Sequence, residues 1–202
     1  MTINFNKKTY KLIFWGVFAI IIIAIIIYFV LTSGSKIPKE FLLARQDTAL
    51  ISQKIAVLTQ KTTDQIKTVN VSELTGSPER ALLLIKDAKE SNRRAYDQAT
   101  ELAKSLQKLA ESLNDINGIE RQQLASQAVA IELSLVSDFI VYTQYLNKFF
   151  DNLTKAVSTN SFASRRNVEE SIREVNGQVA RINSLNREFL VKIAEFDASF
   201  VR

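Results

Sequence analysis

The chain divides into one uninterrupted apolar run and four long stretches in which apolar side chains recur every three or four positions. Leu12 to Leu31 carries no charge and a single glycine, Gly16, and about twenty apolar residues are what an α-helix needs to cross a bilayer. Tyr10, Phe14 and Trp15 at its start, with Tyr28 and Phe29 near its end, lie where interfacial aromatics anchor a spanning helix. The run predicts an uncleaved anchor, because the apolar core of a cleaved signal peptide is only about 7 to 15 residues long.

Beyond it the spacing predicts helices over 36–70, 78–113, 119–158 and 167–200. In the first, Phe41, Ala44, Thr48, Ile51, Ile55, Leu58, Thr62 and Val69 share a face. Ser35 is its expected cap and Pro38 sits in the first turn. Gly76, Ser77 and Pro78 carry the chemistry of a helix end, a cap and a first helical position. The second helix runs Ala81, Ile85, Ala88, Asn92, Ala95, Ala99, Leu102, Leu106, Leu109 and Leu113, alternating four and three. That is the heptad of helices packed along a seam, and its alanines predict a close approach.

Asn117 with Glu120 predicts a capping box at the start of the third helix. This helix carries two adjacent stripes, Leu124, Ala128, Ile131, Leu135, Tyr142 and Phe149 beside Ala125, Val129, Val136, Phe139, Leu146, Phe150 and Leu153. Glu132 and Asp138 argue against its crossing a membrane, since each acid at bilayer depth costs a few kcal/mol. Ser158 to Arg166 reads as a loop, and Asn167 with Glu170 as the capping box of the fourth helix. Gly177 interrupts that helix and predicts a kink or a close contact.

The predicted fold is all-α: an N-terminal transmembrane helix followed by an elongated antiparallel four-helix bundle, up-down-up-down, with coiled-coil packing and helices roughly 50 to 60 Å long. Residues 1–11 read as a short cytoplasmic tail, 12–31 as the anchor, 32–35 as a linker and 36–202 as the bundle. The loops near Thr75 and Asn160 then form the distal tip, with Arg202 returning toward the bilayer.

Composition narrows the chemistry. The chain of 202 residues has 26 bases and 21 acids, and Lys7, Lys8 and Lys11 supply three of the bases before the span. The rest is close to neutral and lacks the clustered basic footprint of nucleic-acid binding. Those three lysines, facing Lys36, Lys39 and Arg45 interspersed with acids beyond the span, predict a single-pass protein with the N-terminus cytoplasmic and the bundle extracytoplasmic. With no histidine and no cysteine, the usual general base, the commonest metal ligand and any thiol nucleophile are missing. The expectation is a protein that is not an enzyme and uses no cofactor or metal.

Three groups of residues stand out as candidate sites. Thr62, Asn92 and Asp138, with Thr143 and Asn176 at similar height, and Glu132 with Asn186 at a lower level, read as polar layers inside the rod. They either fix register or wall a small-ligand pocket. Phe162, Arg165 and Arg166 place an aromatic and two cations at the distal tip. Leu133, Ile140 and Val141 fall outside both stripes of the third helix and suggest a face for a partner chain, including a second copy.

The leading expectation is a membrane-anchored scaffold, spacer or subunit of a cell-envelope complex acting through protein contacts. The layout of tail, span and four-helix domain resembles the front half of bacterial four-helix sensory receptors such as chemoreceptors. That architectural resemblance implies, as the alternative, a ligand-binding sensory subunit that signals through a partner.

Overall fold

A computed structural model describes residues 37–74, 76–159 and 161–200. The expected tail, anchor and linker, with the Ser35 cap, lie outside the described residues. Four long helices follow: α1 over Lys39–Leu74, α2 over Pro78–Glu111, α3 over Ile119–Thr159 and α4 over Phe162–Ala198. A 3-10 turn, Ser112–Asp115, continues the end of α2. No strand occurs among the described residues.

Local chemistry explains the helix ends. Pro38 stands just ahead of α1, where its carbonyl accepts from the Leu42 N–H. Gly76 and Gly118 adopt positive φ, 75° and 97°, in the turns before α2 and α3, a conformation that costs little only without a Cβ. The start of α4 differs from the sequence reading. Ser161 Oγ accepts from the Ser164 N–H at 3.1 Å, so the helix is capped there and begins at Phe162. Asn167 therefore lies inside α4, its carbonyl accepting from Ser171 Oγ, and Phe162, Arg165 and Arg166 ride on the first turns of a helix instead of a loop. At Gly177 the expected close contact is not found: α4 runs through it, and a Cβ built there would meet nothing within 4 Å.

Each helix buries a continuous column spaced alternately by four and three, and α3 also buries most of its second expected stripe, Ala128, Leu135, Tyr142 and Phe149. In α2 the buried column is the predicted one, from Ala81 through Asn92 to Leu109. In α3 it runs Ala125, Val129, Glu132, Val136, Phe139, Thr143, Leu146, Phe150 and Leu153, so the two polar residues occupy heptad positions among apolar ones. In α4 it runs from Val168 through Ile182, Asn186 and Phe189 to Phe200. The α1 column differs most from expectation: Phe41, Arg45, Thr48, Ser52, Ile55, Thr59, Thr62, Ile66 and Val69 are all buried, whereas Ala44 and Leu58 are only half-buried. Five of these nine residues are polar, and four hydroxyls among them carry no charge to desolvate.

Together the columns make one helical bundle with a shared core. α1 packs most extensively on α2 and α3 on α4, with a lesser contact of α2 against α3. Small residues suit the first pairing, because the buried column of α2 is rich in alanine and that of α1 in serine and threonine. Along α3 the partners on α4 fall in number as α3 rises: Asp138 with Gln178 and Arg181, Lys148 with Glu174, Asn152 with Ser171 and Asn167. At the end where α1 begins, Phe41, Phe196 and Phe200 stack in sequence, with ring centroids 5.4 and 5.1 Å apart. The Arg121 guanidinium lies 4.6 Å over the Phe200 ring and donates to the Ser199 carbonyl. Among the described residues α3 alone is long and apolar enough to cross a membrane by length and composition, a test that a core helix also passes.

Candidate functional site

The polar residues of the four columns are spread along the bundle, from Arg45, Ser52 and Glu132 to Thr62, Asn92 and Thr143. Arg45, six residues into α1 and 4 % exposed, meets Asp197 at the end of α4 through two hydrogen bonds, Nη1 to Oδ1 at 3.0 Å and Nη2 to Oδ2 at 3.3 Å. Thr48 donates to the Arg45 carbonyl at 2.8 Å. Burial pushes the Asp197 carboxyl above its usual range and Arg45 only partly pulls it back, because desolvation disfavours the charged form more than one partner offsets.

Glu132 of α3 is the second buried acid. A partly open pocket of about 50 Å³ is walled by residues of all four helices: Ser52 and Ile55, Ala99 and Leu102, Glu132 with Val136 and Phe139, and Ile182. A smaller space of about 20 Å³ lies on the other side of Glu132, toward Phe41, Arg45, Thr48 and Phe189. Neither Glu132 Oε1 nor Ser52 Oγ has a hydrogen-bond partner in the protein. Burial raises the Glu132 acid to about 7, against a smaller downward pull from Arg45. An acid that releases its proton near neutrality in a mostly apolar pocket can accept a cation or a hydrogen-bond donor there.

Several of the other interior polar groups are satisfied within the protein. Thr59, Thr62 and Thr63 donate to carbonyls one turn back on α1, which satisfies the hydroxyl within its own helix. Asn92 bridges helices: its Nδ2 donates to the Thr143 carbonyl at 2.8 Å and to Asn147 Oδ1 at 3.0 Å. Asp138 is only half-buried; its carboxylate faces Arg181 at 3.3 Å and its carbonyl accepts from Gln178. Asn186 is buried on the α4 column. Of the expected upper layer Asn92 and Thr143 meet, while Thr62 bonds its own helix and Asp138 faces Arg181; of the lower level, Glu132 and Asn186 are both buried, and Glu132 lines a pocket with Ser52.

The surface candidates spread apart. Phe162 is 86 % exposed and Arg166 is exposed, with Arg165 half-buried. On α3 Leu133 is exposed, Val141 half-buried, and Ile140 packs against the core. A stronger apolar feature lies on α1, where Leu43, Leu50 and Val57 are 46, 58 and 63 % exposed. Sequence reading missed this column because its signal, a seven-residue repeat on the outer face, runs beside the more populated inner one. Arg45 and Ser52 fall on the four-and-three spacing from Phe41, whereas the apolar Ala44, Ile51 and Leu58 draw the expected face one position aside. Comparison of the chain with protein-family models, curated proteins and solved structures finds no match.

Proposed function

We propose that the protein is a membrane-anchored helical bundle that works by contact, as a scaffold, spacer or subunit of a cell-envelope complex, and performs no chemistry of its own. In this reading residues 12–31 cross the membrane once from a cytoplasmic N-terminus, and residues 36–202 form an antiparallel, up-down-up-down bundle on the far side. The falling order of α4 partners along α3 supports the antiparallel arrangement. The uncharged length of Leu12 to Leu31 and the three lysines before it support the anchor.

The observation that carries the contact role is the outer column of α1. Leu43, Leu50 and Val57 stand seven residues apart on one face, a ridge roughly 21 Å long at 1.5 Å per residue. Large apolar side chains in heptad spacing are what a further helix packs against. Beside the ridge runs a groove toward α2 whose walls carry charges of both signs, Asp47 and Lys54 from α1 and Asp97 and Lys104 from α2, suited to a polar rim around an apolar centre.

A photo-reactive residue in place of Gln53, beside the ridge, tests this in the full chain in its native membranes. The expected result is an adduct with a protein, a second copy included, that disappears when Leu43, Leu50 and Val57 are all changed to lysine while the melting temperature holds. No adduct, or one that survives the substitutions, overturns the reading.

A further inference from the structure

We infer that the cavity between Glu132 and Ser52 is a binding site for a small primary ammonium group bearing a short apolar tail. The site is built from the interior: all four helices line it, and its two polar residues are each only 6 % exposed. Both Glu132 Oε1 and Ser52 Oγ lack a protein partner, and leaving a carboxyl oxygen buried and unbonded costs free energy that a bound donor restores. The nearest cation cannot fill that role, since Arg45 already makes a forked pair with Asp197.

The chemistry of the walls selects the occupant. A hard metal cation takes six or more oxygen ligands, whereas this pocket offers a carboxyl group and a hydroxyl among aliphatic and aromatic side chains. An ammonium head instead donates N–H bonds to both acceptors and supplies the opposite charge. Ile55, Val136, Phe139 and Ile182 surround the tail. A water needs about 10 to 15 Å³ of such space, so about 50 Å³ suits a molecule of three or four heavy atoms. Because burial leaves the Glu132 acid at about 7, its ionised form is populated at mildly alkaline pH. The site is independent of the contact role of α1, and either can fail without the other.

Calorimetric melting of the purified full chain at pH 8 decides the matter, with propylammonium chloride as ligand and tetramethylammonium chloride as a cation of equal charge without an N–H. A saturable rise in melting temperature with propylammonium and none with tetramethylammonium is expected, since a ligand of the native state alone stabilises it. Glu132→Gln keeps the shape of the side chain and removes the charge, and it should weaken binding at least about tenfold. Ser52→Ala, which leaves the acid untouched, should weaken it about threefold, and it carries the test alone if Glu132→Gln does not fold. Equal response to both salts, or unchanged propylammonium binding in Ser52→Ala, overturns the assignment.

Discussion

Arg45 and Asp197 lie 152 positions apart in the chain, yet their side chains form a two-pronged ion pair at 3.0 and 3.3 Å that ties the first turns of α1 to the last turn of α4. The arginine is nearly wholly buried and the aspartate largely so, at 4 and 16 % side-chain exposure. Such a pair adds little net stability over well-packed apolar residues, but its halves are expensive to separate.

Asp197→Ala should therefore destabilise the protein by about 3 kcal/mol, because the guanidinium stays buried without its partner. The double change Arg45→Met with Asp197→Leu should recover most of that loss. Urea unfolding of Asp197→Ala, of the double variant and of its two single changes, Arg45→Met and Asp197→Leu, measures both, and an additive double mutant would show that the residues do not interact.

Glu132 sets a pH dependence. The groups facing it are Arg45 and Ser52 from α1, with Asp197 of α4 beyond Arg45, while α2 contributes only alanine and leucines. Its acid is raised from 4.5 to about 7, so between those values the folded chain holds a proton that the unfolded chain has released. Stability from this group is fully present below pH 4.5, falls as pH rises to 7 and is level above, by about 3 kcal/mol in all. The raised Asp197 acts in the same direction. Glu132→Gln should lack this decline, so its stability relative to the native sequence should grow between pH 5 and pH 8 in urea titrations.

Asn92 is the buried bridge between α2 and α3, donating to the Thr143 carbonyl and to Asn147 Oδ1. Asn92→Ala removes both bonds and leaves a void, at an expected cost of about 2 kcal/mol. Chemical unfolding followed by circular dichroism reads it directly; a loss below about 0.5 kcal/mol would mean that the bridge contributes nothing measurable.

Two glycines should respond in opposite directions to alanine. Gly177 is exposed inside α4 with open space at its Cβ position, so Gly177→Ala should stabilise by about 1 kcal/mol through helix propensity. Gly118 sits at φ 97°, and Gly118→Ala should cost about 1 kcal/mol or more from backbone strain. Melting temperatures of the two variants on opposite sides of the native value are the expected outcome.

Among the described residues, helix number, helix type and most core positions are legible in the sequence, because a column of apolar side chains at alternating four and three spacing is a local property. The α2 column from Ala81 to Leu109 is buried as read, and Gly76, Ser77 and Pro78 mark the α1 to α2 turn. The start of α4 was misplaced by five residues because two caps compete there, Ser161 and Asn167, and the choice between them depends on the path of the preceding turn.

What lies inside α1 was decided only by tertiary structure. Composition alone assigns Arg45 to the surface, since a lone guanidinium is costly to bury. Asp197 makes its burial tolerable, and no local pattern announces a partner supplied by the far end of the chain. Likewise Glu132 reads from the sequence as a polar residue on an apolar helix, a feature that could fix register or wall a pocket. That it shares a cavity with Ser52 follows from how four helices pack around a gap, and packing is a property of the assembled core that single-helix periodicity does not encode.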